Sequence, residues 1–423
     1  MQDTGIESTI KYRLLEIERA VRRALDKVKG ARPISPYGEE IKNTIEDELN
    51  KFCDNLKQLS ASDEIIQLKQ EAEVRLMDRI RISSDLLLGR IEDILSQEAS
   101  TELYYFLDFY LDLLVDEKIL VDRPKILIIK GYELRTYPFD RGENLWVIEV
   151  PTKTEGNVFE WPTLLHELAH IVEHKLKIID TKFKRSYAPI ELETGSVEAT
   201  EYFHCKEYLC DYIALLLCGP IWLFILYDLY LLPTYLLPKT HPEWINRVMI
   251  VKERILSYLS DLKQKISTKK FKSLSNEETE KLLKFINNVE QLKYKDLPPL
   301  FRKPLLLDDI FTEVEKKLDN VRFKIDIDDM VQCVNSLVKF EPYVSRRVYI
   351  VNEKGKNLDS GDIDINVLIN SGYLIYRLNI FDQGVKKYFE FDDYKMKSEF
   401  IYLVSECVRS ARIAMIAKEA LLS

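Results

Sequence analysis

The sequence predicts a mainly α-helical fold of the α+β kind, with one small β-sheet. Apolar residues recur at helical spacing through most of the 423 residues. The chain has only 13 glycines, which favours long helices over a loop-rich β fold. The clearest strand-like stretches lie between about residues 125 and 150. We therefore expect helical N- and C-terminal regions on either side of a central part that contains the sheet.

Composition excludes several classes of protein. A hydrophobic content of 46% with 31% charged residues is typical of a soluble globular chain. The net charge of -9 argues against nucleic-acid binding. The six cysteines form no C-x-x-C pair, so we expect reduced and mostly buried thiols. Since the N-terminus also lacks the basic and apolar runs of a signal peptide, we expect a cytoplasmic protein.

Hydrophobic pattern and breaks divide the chain into three regions. Residues 1–120 form a helical N-terminal region, residues 121–262 a core, and residues 263–423 a mainly helical C-terminal region. Within the core, the sequence predicts strands at 125–130 and 145–150, and 132–136 is a candidate for a third. An exposed edge of such a sheet could pair with an extended peptide through main-chain hydrogen bonds.

One stretch of the core is markedly apolar, from Tyr212 to Pro238. It contains Asp228 and is broken by Gly219-Pro220 and Pro233, so no clean run of about 20 apolar residues exists. We therefore expect a pair of buried helices and no integral membrane insertion. A peripheral membrane contact stays open.

The strongest chemical signal is His166-Glu167-Leu168-Ala169-His170, an H-E-x-x-H motif. On a helix, residues four apart lie on one face, so both imidazoles can bind one metal ion. Glu167 is then placed to take a proton from a metal-bound water. The competing interpretation is a core helix that buries two hydrogen-bonded histidines.

The third ligand should lie on a later helix, within Cys205-Lys-Glu-Tyr-Leu-Cys-Asp211. Glu207 and Asp211 are four apart in an apolar stretch, where a carboxylate is costly to bury unless it is paired or binds metal. We predict Glu207 as the third ligand and Asp211 as the hydrogen-bond partner of a ligating imidazole. Candidates that we rank lower are Glu198, Glu201, His204, Cys205 and Cys210. His174 is about 6 Å along the axis from His170, too far for a shared ion on a straight helix.

This order of motifs resembles the gluzincin zinc metallopeptidases, which carry H-E-x-x-H on one helix and E-x-x-x-D on a later one. The resemblance is greatest to the branch with the CAAX prenyl proteases and HtpX, which also has a downstream H-P-x-x-x-x-R. Here His241-Pro242 and Arg247 match that motif. The resemblance covers about 161–248 and implies a zincin-like core that binds Zn²⁺. Relatives in that branch are embedded in membranes, whereas we expect a soluble protein.

These features predict a zinc-dependent metallopeptidase that hydrolyses peptide bonds of a peptide or protein substrate. Zinc held by His166, His170 and Glu207 would activate a water, with Glu167 as general base. The oxyanion needs a further donor, for which His241 or a tyrosine such as Tyr202 is a candidate. The alternative is a catalytically silent, zinc-binding helical scaffold that serves as an interaction protein. A structural zinc site tends to close with a fourth protein ligand and needs no base.

Overall fold

The computed structural model describes residues 100–132, 134–138, 145–183, 197–231, 241–268, 271–292, 303–323, 325–342 and 365–422, with scattered positions between 18 and 57. The chain divides into two compact units. The first comprises Met1–Thr101 and Pro124–Thr152, and the second Glu102–Arg123 and Lys153–Ser423. The predicted core at 121–262 has residues in both units, and the three-region division stays a prediction.

The first unit contains the small sheet, and the predicted class, mainly α with a small β-sheet, is confirmed. The described residues between 18 and 57 are all helical. Three strands follow: β1 (Lys125–Gly131), β2 (Arg135–Pro138) and β3 (Leu145–Pro151). Their order is β1-β3-β2, with β1 parallel and β2 antiparallel to β3. The use of a sheet edge by a substrate stays a prediction.

The second unit is helical throughout its described parts. Its longer helices are α1 (Thr101–Asp116, whose first residue belongs to the first unit), α3 (Thr163–Leu176), α5 (Val197–Cys218), α6 (Pro220–Leu231), α7 (Trp244–Glu253), α8 (Leu256–Ser267), α9 (Asn276–Gln291), α10 (Leu307–Leu318), α11 (Ile327–Leu337), α12 (Ile365–Leu378) and α14 (Asp393–Leu422). Short helices are α2 (Thr152–Glu155, whose first residue also belongs to the first unit), α4 (Ile178–Lys182) and α13 (Gln383–Tyr388), with a 3₁₀ turn at Asp319–Val321.

Helices α3 and α5 pack against each other and carry the predicted metal ligands. Helix α3 begins after Pro162, whose φ of -58° suits a helix start. It ends where Lys177 takes a left-handed φ of 51°. Its apolar face is buried through Leu164, Leu165, Leu168, Ala169, Ile171 and Val172. Each buried leucine or isoleucine stabilises the packing by about 1.5–3 kcal/mol, which fixes the helix in place.

The apolar stretch that begins at Tyr212 forms the expected pair of buried helices, α5 and α6, as far as Leu231. Residues 232–238 of that stretch, with Pro233, lie outside the described residues. Gly219 separates them at a φ of 76°, a left-handed conformation that favours glycine. Asp228 accepts hydrogen bonds from Tyr373 and Arg377 of α12, so its charge is paired within the fold. Among the described residues, no helix combines the length and apolar character needed to cross a bilayer.

Candidate metal centre

Helix α3 places His166 and His170 on one face, one turn apart, as the i, i+4 spacing requires. Their ring centroids are 4.9 Å apart and the rings are nearly perpendicular. His166 is 6% exposed, whereas the His170 side chain is 19% exposed. One imidazole is therefore enclosed by the protein, and the other lies nearer to solvent.

Helix α5 brings Glu207 to these imidazoles. One carboxylate oxygen lies 3.4 Å from Nε2 of His166, and the other lies 3.6 Å from Nε2 of His170. One donor atom from each of the three residues lies within 4.8 Å of the other two. Ligands about 2.05 Å from a tetrahedral ion would be about 3.4 Å apart. The three side chains could therefore hold a metal ion.

The environment of Glu207 fits a cation. The side chain is buried, and among the described residues its Oε2 has only long polar contacts, 3.4 Å to Nε2 of His166 and 3.8 Å to Nη1 of Arg247. A buried carboxylate oxygen with such weak contacts is costly, and metal binding lowers that cost. Burial alone would raise the pKa of Glu207, but His166 and His170 outweigh it and lower that pKa. Glu207 is therefore ionised and available as a ligand.

Two buried charged groups, Asp211 and Arg247, support His166 on the Nδ1 side of its ring. Nδ1 of His166 lies 3.1 Å from Oδ1 of Asp211, which is fully buried. Arg247 of α7 donates two hydrogen bonds to the Asp211 carboxylate, at 2.7 and 2.6 Å. The bidentate contact fixes the carboxylate, and the carboxylate in turn fixes the imidazole. The structure thus brings together the residues that the sequence assigned to ligation and support.

The two imidazoles differ in charge when no metal is bound. Burial lowers the pKa of His166, but its hydrogen bonds to Asp211 and Glu207 outweigh burial and raise it to about 9. For His170 burial prevails over Glu207 and lowers the pKa to about 3. At neutral pH the metal-free site therefore holds His166 as an imidazolium, with both ring nitrogens protonated, and His170 as a neutral imidazole with one N–H.

Two tryptophans complete the enclosure of the site, and motif spacing gave no indication of them. The indole of Trp222 on α6 stacks on the His166 ring, with centroids 5.4 Å apart and an interplanar angle of 14°. The guanidinium of Arg247 lies 4.6 Å from the ring centroid of Trp244. The stacking packs an apolar ring against the ligand His166, and the cation–π contact attracts the guanidinium of Arg247 to Trp244.

Cys210 on α5 contacts the other ligand. Its Sγ lies 3.2 Å from Nδ1 of His170, and the thiol is completely buried. Burial raises the pKa of Cys210 well above its usual range, so the group stays a neutral thiol. It is outside the group of three donors. The signal that could have revealed this contact is the i, i+3 spacing from Glu207, which puts both residues on one face of α5.

The two candidates for the oxyanion donor, His241 and Tyr202, differ in what they contact. His241 has Nε2 3.6 Å from Oε1 of Glu207, and its side chain is 35% exposed. Burial lowers the pKa of His241, so the ring is neutral at pH 7. Tyr202 donates its hydroxyl to Asp180 at 2.7 Å. This bond gives Tyr202 a partner away from the ligands and leaves His241 as the stronger oxyanion candidate.

The lower-ranked candidates whose side chains are described lie outside the metal group. This holds for Glu201, His204 and Cys205, and His174 lies in the last turn of α3. The side chain of Glu198 lies outside the described residues. The described cysteines, six in number, are all free and buried, as the sequence predicts.

No protein-family model matches the chain, and no curated protein or solved structure is detectably similar to it. The resemblance to gluzincins therefore rests on the motifs and their spacing, and the zincin-like nature of the core stays a prediction.

Proposed function

We propose that this protein is a zinc-dependent metallopeptidase. The observation that carries the proposal is the convergence of His166, His170 and Glu207, with Glu167 following the first ligand on the same helix. Within the described residues, no fourth side chain joins this group, and a site with three protein ligands is typical of catalytic zinc. A zinc ion, when bound, would polarise the scissile carbonyl and lower the pKa of a water to about 7.

The residues of the chain have separable roles in this proposal. Glu167, which is 4% exposed, accepts the proton of the attacking water and delivers it to the leaving amine. His241 donates an N–H to the carbonyl oxygen as negative charge develops there. Asp211 keeps the proton on Nδ1 of His166, so that Nε2 carries the lone pair. Arg247 holds Asp211 in the required orientation.

The proposal includes a peptide or protein substrate and a cytoplasmic location. Six free cysteines agree with a reducing compartment. The alternative, a catalytically silent scaffold that binds zinc through the same three residues, differs in what it requires of Glu167. A metal that serves only folding needs no general base.

The test is the substitution Glu167→Gln, which keeps the size of the side chain and removes its basicity. We expect wild-type protein to cleave members of a mixed peptide library and to contain about one zinc per chain. The variant should keep the zinc and lose cleavage by about 100-fold or more. Glu243→Gln is the matched control, because it removes the same charge from an exposed position near His241. Unchanged cleavage by Glu167→Gln would remove Glu167 from the mechanism. A wild-type protein that binds zinc and cleaves nothing would favour the scaffold.

A further inference from the structure

The two ring nitrogens of His170 face two different side chains of α5. Nε2 lies 3.6 Å from Oε1 of Glu207, on the metal side. Nδ1 lies 3.2 Å from Sγ of Cys210, on the opposite edge of the ring. The structure gives Nδ1 no other hydrogen-bond partner among the described residues. The orientation of this ligand is therefore set by one carboxylate and one thiol from the same helix.

We propose that Cys210 is a positioning residue for the metal centre: its sulfur accepts a hydrogen bond from Nδ1–H of His170 and so holds Nε2 toward the metal. An imidazole that binds a metal through Nε2 is neutral and keeps its proton on Nδ1. The acceptor at Nδ1 fixes both the tautomer and the ring rotation. Asp211 is the acceptor at Nδ1 of His166, and Cys210 is the acceptor at Nδ1 of His170. The inference rests on the proposed metal site and is independent of peptidase activity.

An ion pair links the two helices beside this contact. Lys206, which precedes Glu207 on α5, has its Nζ 3.4 Å from Oε2 of Glu173 on α3, and its side chain is 28% exposed. Glu173 is 2% exposed and lies one turn after His170. Because separation would leave the buried carboxylate of Glu173 without its partner charge, the pair opposes sliding of α5 along α3. It thereby helps to keep the sulfur of Cys210 next to the ring.

The position of the Cys210 sulfur shows whether this residue would bind the metal or orient the imidazole of His170. A thiolate ligand would have to lie among the metal donors, next to Oε1 of Glu207 and the two Nε2 atoms. The sulfur of Cys210 lies instead against the far nitrogen of His170, and it is outside the group of three donors. Cys210 therefore acts on the metal through the imidazole.

The experiment measures Co²⁺ binding, because Co²⁺ takes zinc sites and its visible spectrum reports ligand geometry. Wild-type protein is compared with Cys210→Ser, Cys210→Ala and Cys210→Val. Serine keeps an acceptor for Nδ1–H, whereas alanine and valine remove it. Cys205→Ala is the control, since it deletes an equally buried thiol about 200° around the helix from Glu207. Circular dichroism establishes which variants are folded.

We expect alanine and valine to weaken Co²⁺ binding about 10–100-fold and to alter the visible bands. Serine and the Cys205→Ala control should bind within a few-fold of wild type, and serine is informative even if the apolar variants unfold. The wild-type spectrum should lack a thiolate-to-cobalt charge-transfer band. Such a band, if lost on substitution of Cys210, would make it a ligand and overturn the proposal.

Other results distinguish the positioning role of Cys210 from the metal site itself. Wild-type affinity in a folded alanine or valine variant overturns the positioning role alone, as does a tenfold loss in the serine variant. Failure of wild-type protein to bind Co²⁺ or Zn²⁺ overturns the metal site itself and the positioning role with it.

Discussion

Binding of zinc should release one proton from the protein, and that proton should come from His166. Its hydrogen bonds to Asp211 and Glu207 raise its pKa to about 9, so the metal-free imidazole is charged at pH 6. A metal needs the lone pair that this proton occupies. The pKa of His170 is lowered to about 3, and that of Glu207 is also lowered. These two ligands therefore have no proton to release.

The size of the effect follows from the difference between the pKa and the pH. At pH 6 about one metal-free molecule in 1,000 has a neutral His166, which weakens apparent zinc affinity about 1,000-fold, or about 4 kcal/mol. Between pH 5 and pH 8 the affinity contributed by this group should rise about tenfold per pH unit. The rise should level off above pH 9.

Isothermal titration calorimetry measures the proton directly. Zinc is titrated at pH 6 in two buffers of different ionisation enthalpy, because a water on zinc has a pKa of about 7 and keeps its proton there. We expect about one proton released per zinc. The variant Asp211→Asn removes the hydrogen bond that most raises the pKa of His166, and should release less. Proton-independent binding at pH 6 in wild-type protein would refute this reasoning.

Three further outcomes are expected. Asp211→Asn leaves the buried Arg247 without the carboxylate that it pairs with. The free energy of unfolding in urea should therefore fall by about 3–5 kcal/mol. A loss below about 1 kcal/mol would contradict the assigned pair. Gly219→Ala places a Cβ at a φ of 76° and 2.8 Å from a neighbouring side chain, so the free energy of unfolding should fall by about 1–3 kcal/mol. The control Gly156→Ala meets open space and should lower it far less. Equal losses in the two variants would contradict this. Folding raises the pKa of His166 from 6.5 to about 9, so protonation of this group stabilises the metal-free protein. The stabilisation is fully present below pH 6.5 and is lost as the pH rises through about 9, by about 3 kcal/mol. The free energy of unfolding in urea should therefore be higher at pH 6 than at pH 9.

The local part of the site follows from sequence because helical spacing determines it. Two histidines four apart must share a face of α3, and Glu207 and Asp211 must share a face of α5. The neighbouring residues in the sequence are mostly apolar, so a carboxylate buried among them is costly unless it is paired or binds metal. This identified Glu207 as a ligand candidate. The same reasoning predicted the buried helix pair and its break at Gly219.

The contacts between helices could not be read from spacing. Whether Cys210 or another residue of α5 meets His170 depends on the rotation of α5 against α3, and a turn of about 100° exchanges one residue for the next. The stacking of Trp222 on His166 depends likewise on where α6 folds back after Gly219. Such orientations are set by the packing of the whole helical unit, to which many distant apolar residues contribute.

In the proposed site, two imidazoles and one carboxylate hold a single divalent ion and leave one position open. This arrangement can be tested by a crystal structure of zinc-loaded protein, with anomalous data at the zinc edge. We expect one anomalous peak about 2.0–2.2 Å from Nε2 of His166, Nε2 of His170 and a carboxylate oxygen of Glu207, with no fourth side chain bound. The absence of a peak there, or a peak bound by a further side chain such as Cys210 or His241, would contradict it.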